Sequence, residues 1–142
     1  MRYAIRCAAS ILVSTVLHAS AVDRSESPIV VTPVLSTSTT VTGQPIVLPS
    51  QDVHVLVWIY DIARGAVLPE HKHPYPRYAY VLAGTLRLTE SQAGGSVDYH
   101  PGDFIVEGIG QWHHAESLNN EPVKLLIIDQ VPGDVHNTVL HE

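Results

Sequence analysis

Three histidines in two separated stretches are the residues of this sequence best suited to chemistry. His71 and His73 are separated by one residue, and His113 lies much further along the chain. Side chains of an extended strand alternate in direction, so the first two point to the same face, with Cα atoms about 6.5–7 Å apart. Two imidazoles placed in this way can converge on one metal ion. We expect the third histidine to join them inside a small β-barrel.

Short strands separated by turn residues must position these histidines. Apolar or alternating runs predict strands at Ile46–Leu48, Val53–Ile62, Tyr78–Leu82, Thr85–Thr89, Ser96–Tyr99, Phe104–Glu107, Trp112–Ser117 and Pro122–Val131. The run Val53–Ile62 is mostly apolar, which predicts a strand buried on both faces. No stretch after residue 21 combines a helical period with caps. The fold class is therefore all-β, with the strands arranged as a sandwich or barrel.

The first 21 residues have the three regions of a secretory signal peptide. Arg2 and Arg6 give a positive start, a short apolar run follows, and Ala19-Ser20-Ala21 is a small-residue cleavage site. We expect cleavage after Ala21 and a periplasmic or secreted protein. The apolar run is too short for a membrane span. The alternative, a buried N-terminal helix, leaves the order of the three regions unexplained.

The mature chain of 121 residues (142 minus 21) forms one domain. Cys7 leaves with the signal peptide, which excludes disulfide and thiol chemistry. Loss of two arginines lowers Lys+Arg from 8 to 6 against 14 Asp+Glu, so the charge moves from -6 to -8 and disfavours nucleic acid and anionic membrane as partners. Residues 22–43, rich in Ser, Thr, Val and Pro, predict an extended N-terminal arm, and residues 44–142 form the barrel domain.

The spacing around the first two histidines resembles a motif of the cupins, a family of small jelly-roll β-barrels. That motif is a Gly, five residues, His-x-His, three or four residues, Glu, six residues and a Gly. Its matches in this sequence are Gly65, His71, His73 and Gly84. The six-residue gap before Gly84 puts Arg77 where the family has Glu.

A second cupin motif, which is a Gly, five residues, Pro-x-Gly, two residues, His, three residues and Asn, follows in the expected order. Its matches are Gly102, Gly110 and His113, with Gly108 in place of Pro and Ser117 in place of Asn. Two motifs in order are far more specific than one. The resemblance covers about Val53 to Val131 and implies an all-β, single-domain cupin, a jelly-roll or double-stranded β-helix barrel.

By this resemblance the metal ligands are His71, His73 and His113, and the alternative is that they only line a cavity or reach the surface. His114 faces the other way in a regular strand, and the Gly110-x-x-His spacing selects His113 for the interior. Imidazole suits Fe(II), Zn, Ni, Mn or Cu. We expect a divalent transition metal, Fe(II) first, because the resemblance extends to cysteine dioxygenases and diketone-cleaving cupins with three-His centres.

Arg77 is the informative departure from the family pattern. A guanidinium cannot ligate a cation, so the site is either a three-His centre or has lost its metal. Arg77 either holds a substrate carboxylate through two hydrogen bonds, or it points outward or pairs with an acid such as Glu70 or Glu107. In the longer form of the motif, Tyr78 takes the position of the Glu.

Tyr80 is the second candidate catalytic residue, beside Arg77. It lies on the strand after the histidine pair, and a phenol there can orient a substrate or donate a proton. Glu107 and Gln111 flank the bend before His113 and are candidates for ligand contact only.

The sequence therefore predicts an exported metal-binding cupin that acts on a small, anionic organic molecule. Oxygenative cleavage by non-haem iron is the first candidate reaction, followed by metal-assisted isomerisation or decarboxylation. The alternative is a non-catalytic module that binds a small molecule or a metal. The segment Ile29–Leu35 is a candidate edge for pairing in a homodimer.

Overall fold

The computed structural model describes residues 29–92 and 94–142 of the chain, and the predicted signal peptide lies outside these ranges. Residues 32–142 form one compact unit. Across the described ranges, no helix is long and apolar enough to cross a bilayer. The strands of the described residues are β1 (Val53–Ile62), β2 (Val67–Lys72), β3 (Arg77–Ala83), β4 (Leu86–Glu90), β5 (Ser96–Tyr99), β6 (Phe104–Val106), β7 (His113–Ser117), β8 (Val123–Pro132) and β9 (Val139–Leu140).

Two antiparallel sheets make up the domain. One has the strand order β1-β8-β3-β6 and the other the order β5-β4-β7-β2-β9. Strands adjacent in sequence therefore often lie in different sheets, as a jelly roll requires. This arrangement confirms the all-β cupin fold expected from the two motifs.

The core lies between the sheets and is built by strict alternation along the central strands. On β8 the residues Val123, Leu125, Ile127 and Val131 face inward, and each is at most 4% exposed. Burying such a side chain contributes about 1.5–3 kcal/mol of transfer free energy. Asp129 occupies the same inward row and is 1% exposed, so a carboxylate inside this apolar layer needs a partner.

Most predicted strands lie where the sequence pattern put them, except that Ile46–Leu48 forms no strand. The prediction that Val53–Ile62 is buried on both faces was wrong, because no other element of the described residues covers the outer face of β1, which is also an edge strand that pairs only with β8. Its outward residues Val55, Val57 and Ile59 are 58%, 58% and 50% exposed.

Gly84 closes the turn between β3 and β4 in a way that no other residue allows. Its φ is +73°, and a Cβ at this position would lie 2.2 Å from the carbonyl oxygen of Pro122. The glycine of the first motif therefore permits the turn to pack against the start of β8.

Candidate metal centre

The structure brings the three predicted histidines together inside the domain. His71 on β2 is the direct register partner of His113 on β7, and His73 follows β2 in a parallel bridge with Ile109. Their ring centroids are 4.4–5.1 Å apart, and one ring nitrogen of each lies within 4.8 Å of the others. All three side chains are buried. The predicted convergence of two separated segments on one interior point is confirmed.

Backbone carbonyls set the orientation of all three rings. The Nδ1 atom of His71 is 2.7 Å from the carbonyl oxygen of Pro69, and that of His113 is 3.1 Å from the carbonyl of Gln111. The Nδ1 atom of His73 is 2.5 Å from the carbonyl of Asn137. A carbonyl oxygen only accepts, so each Nδ1 carries a proton, and Nε2 of the neutral ring then has the lone pair. This is how metal-binding histidines are usually held.

Two further observations fit this donor set to a divalent transition metal. Burial lowers the pKa of His71 from 6.5 to about 4, so its imidazole is neutral, as a ligand must be. The Nε2 atom of His113 is buried and, in the neutral ring, is an acceptor that no donor among the described residues reaches. A buried polar atom without a partner costs free energy, and a metal ion would satisfy it. The residues present therefore fit a bound ion.

Glu107 also lies at the centre, although the sequence indicated it only as a candidate for ligand contact or as a partner of Arg77. It follows β6 directly and is buried, and its Oε2 atom lies 3.0 Å from Nε2 of His73 and 3.2 Å from Nε2 of His113. Burial alone would raise the pKa of Glu107, but its interactions with His113 and His73 hold it well below its ordinary range. Glu107 is therefore an ionised carboxylate in the interior.

Arg77 lies beside the centre, with its guanidinium turned mainly towards Asp129. The Nε atom donates to Oδ1 at 2.7 Å, and Nη2 donates to Oδ2 at 2.9 Å. Asp129 also accepts from Asn137 Nδ2 at 2.7 Å and from Trp58 Nε1 at 3.2 Å. The acid paired with Arg77 is therefore neither Glu70 nor Glu107. The remaining terminal nitrogen of the Arg77 guanidinium, Nη1, lies 3.4 Å from Nε2 of His73.

Tyr78 and Tyr80 point away from the histidines. Alternation along β3 places Arg77 inside, so both tyrosines face the outer side of the sheet. The Tyr78 hydroxyl donates to Gln130 at 2.8 Å, and the Tyr80 ring lies 6.4 Å from the ring of Phe104. The predicted role of Tyr80 as a catalytic residue therefore gains no support from its position.

A small cavity adjoins the three histidines. Its volume is about 30 Å³, which is room for a molecule the size of water. Its polar lining consists of Tyr60, Arg77, Glu107 and the three histidines, and its apolar lining of Leu68, Leu86, Leu88, Ala115, Leu125 and Ile127. The tyrosine at this cavity is thus Tyr60 of β1, and a larger ligand requires the walls to move.

The end of the N-terminal arm and the first residue of the barrel domain contact the loop between Glu107 and His113. The Gln44 side chain accepts from the Ile109 N–H at 2.9 Å and donates to the Ile109 carbonyl at 3.0 Å. A Cβ at Gly108 would lie 3.2 Å from Oγ1 of Thr42. Gly108, which replaces the motif Pro, therefore lets the arm approach this loop closely.

Solved structures with the same fold come from several kinds of protein. The polyketide cyclase RemF from Streptomyces resistomycificus matches with a TM-score of 0.54 and 17% identity, over 69% of this chain and 70% of that chain. A variant of salicylate 1,2-dioxygenase from Pseudoaminobacter salicylatoxidans matches with a TM-score of 0.53 and 17% identity, over 62% of this chain and 26% of that chain.

Oxalate decarboxylases also match. The Bacillus subtilis enzyme, studied for its Mn(II) centres, has a TM-score of 0.51 and 23% identity, with 61% of this chain and 23% of that chain covered. The chain spans 26% and 23% of two such decarboxylase chains. Comparison with curated proteins gave no match. The family model for the Cupin domain matches residues 58–129, which is just over half of the sequence. The chain therefore belongs to the cupin family.

Proposed function

We propose that this cupin binds one divalent transition metal through His71, His73 and His113 and uses it to convert a small organic substrate. The observation that carries the proposal is the convergence of three buried imidazoles whose Nδ1 atoms are held by backbone carbonyls, so that Nε2 is the candidate ligand atom of each. Fe(II) is the metal we expect first, with Zn, Ni, Mn and Cu as alternatives. A bound ion of this class supplies Lewis acidity and open positions for substrate, water or dioxygen.

The reaction we propose first is oxygenative cleavage, followed by metal-assisted isomerisation or decarboxylation. The neighbours in fold support this range, since they include a salicylate dioxygenase and an oxalate decarboxylase with Mn(II) centres. One fold supports many reactions, so the substrate class has to be inferred from the residues of the site.

The charges around the centre favour a small anion as the ligand. The charges of Arg77 and Asp129 cancel, so these three residues carry a net charge of about one negative unit, which belongs to Glu107. A divalent ion would change this balance from one negative charge to one positive charge. A monoanionic ligand such as a small carboxylate would then cancel it in the low-dielectric interior.

Metal content and dioxygen uptake test this proposal. The purified protein is stripped with EDTA, reloaded anaerobically with Fe(II), desalted and analysed by plasma mass spectrometry. We expect close to one equivalent of iron, whereas less than about a tenth of an equivalent contradicts the metal centre. An oxygen electrode then records uptake against a panel of small carboxylates, and uptake that depends on one of them supports the oxygenase.

A second function, metal or small-molecule binding without turnover, is favoured by the cavity. At about 30 Å³ it has room for a water-sized ligand but not for an organic substrate unless the walls move. Stoichiometric metal without uptake of dioxygen or loss of any carboxylate in the panel would support this function over the enzyme.

We also propose that the mature protein acts in the periplasm or outside the cell. The order of charged, apolar and small residues in positions 1–21 is the basis for this proposal. Mass spectrometry of the protein from an exported fraction should find Val22 at its N-terminus. An intact Met1 in that fraction would contradict cleavage after Ala21.

A further inference from the structure

We infer that Glu107 is the fourth ligand of this metal, so that the carboxylate missing at position 77 comes from the end of β6 instead. The inference rests on the proposed function, because it assumes that an ion occupies the three-histidine site. Position 107 lies outside the motif position that supplies the family's Glu, so the assignment comes from the contacts of the side chain.

The distances around Glu107 are those of neighbouring ligands on one ion. Ligand atoms about 2.1 Å from a common metal are about 3.0 Å apart at an octahedral angle and about 3.4 Å apart at a tetrahedral angle. The Oε2 atom of Glu107 lies 3.0 Å from Nε2 of His73 and 3.2 Å from Nε2 of His113. The carboxylate oxygen therefore lies at the right distance from His73 and His113 to bind the same ion.

A metal ion between these atoms would satisfy all of them. With the Nδ1 protons held by carbonyls, the Nε2 atoms of His73 and His113 face the Glu107 carboxylate. In neutral rings these nitrogens are acceptors, and two acceptors 3 Å apart in a buried site repel each other unless a positive charge lies between them. Arg77 reaches only His73, through a long contact of 3.4 Å from Nη1 to Nε2, because its two short hydrogen bonds go to Asp129. A metal ion satisfies all of these atoms at once.

The backbone explains how an acid at position 107 can replace one at position 77. The two positions are neighbours across β3 and β6, since the Glu107 N–H donates to the Arg77 carbonyl at 3.0 Å. Arg77 is held by Asp129 on one side, and Glu107 reaches the histidines from the other. An acid at position 107 can therefore reach the histidines from the position next to 77, and Arg77 is neutralised by Asp129.

Cobalt binding tests the assignment without reference to activity. Co(II) affinity is measured by competition with a chelator, and its visible absorption spectrum reports the ligand set. In Glu107→Gln, an uncharged isostere, we expect at least about tenfold weaker binding and an altered spectrum. Glu70→Gln is the matched control, because it removes the same charge from β2 at a residue that does not line the cavity, and it should bind Co(II) like the wild type.

The possible outcomes distinguish the role of Glu107 from the existence of the three-histidine metal centre. Wild-type affinity and spectrum in Glu107→Gln would overturn the inference and leave the three-histidine centre intact. Failure of the wild type to bind Co(II) would overturn the metal centre itself. If Glu107→Gln does not fold, Glu107→Asp decides instead, because it keeps the charge and shortens the reach. A spectrum unchanged by that shortening would overturn the inference.

Discussion

Replacing Arg77 with methionine should destabilise the domain severely, even without any ligand. Methionine keeps the length and apolar stem of the side chain but removes both hydrogen bonds to Asp129, at 2.7 and 2.9 Å. Asp129 is 1% exposed and would keep only the neutral donors Asn137 and Trp58. Removing one partner of such a buried pair costs about 3–5 kcal/mol. That is a large share of the about 5–15 kcal/mol that stabilises a typical domain.

Urea unfolding of the metal-free protein in EDTA measures this cost without a contribution from bound metal. The double variant R77M/D129N should recover part of the loss, because an asparagine keeps an acceptor for Asn137 without burying a charge. Arg87→Met is the matched surface control, since Arg87 makes a similar two-bond pair with Asp98 in the open, and it should change stability far less.

A loss below about 1 kcal/mol in R77M would refute the reasoning, because Asp129 would then not depend on its cation. The same reasoning applies to Arg77→Glu. A glutamate at the family's usual position would bring a third carboxylate next to Asp129 and Glu107. We therefore expect this variant to be less stable than R77M and not to bind metal more tightly.

Three further predictions follow from particular contacts. His113→Ala should abolish metal binding and the metal-induced rise in melting temperature together, whereas His114→Ala should keep both; a metal-induced rise in His113→Ala would contradict its role as a ligand. Asn137→Ala removes the donor at 2.7 Å from Asp129, so urea unfolding should show a loss of about 1–3 kcal/mol, and an unchanged midpoint would refute this. Gly84→Ala should cost more in the same assay than Gly94→Ala, because both have φ near +70° but only Gly84 faces a carbonyl at 2.2 Å; equal losses would show that the contact does not matter.

The sequence predicted the local features of the fold better than the long-range ones. Alternation and turn residues located most strands, and the spacing of His71, His73 and His113 located the centre. The edge position of β1 could not be predicted, because it depends on which strands pair across the sheet rather than on the apolar run itself. Local pattern is thus informative about a strand but not about its neighbours.

The surroundings of the histidines were less predictable, although one signal was present. On β8 a lone acid, Asp129, interrupts an apolar row of period two, which marks it as inward and in need of a cation. Because side chains alternate in direction along a strand, Arg77 and Tyr80 must lie on opposite faces of β3, so only one of them can face the histidines. The contact between Glu107 and the histidines could not be predicted, because it depends on the shape of a bend outside any strand.

Some residues that hold the metal centre in place lie outside residues 58–129, the range that matches the family model. Residues 58–129 contain all three histidines but neither Gln44, which holds the loop at Ile109, nor Asn137, whose carbonyl holds His73. A protein trimmed to that stretch would keep all three histidines and lose both the contact with Ile109 and the carbonyl that orients His73. Boundaries for expression, for grafting or for comparing relatives of this chain should therefore include Gln44 and Asn137.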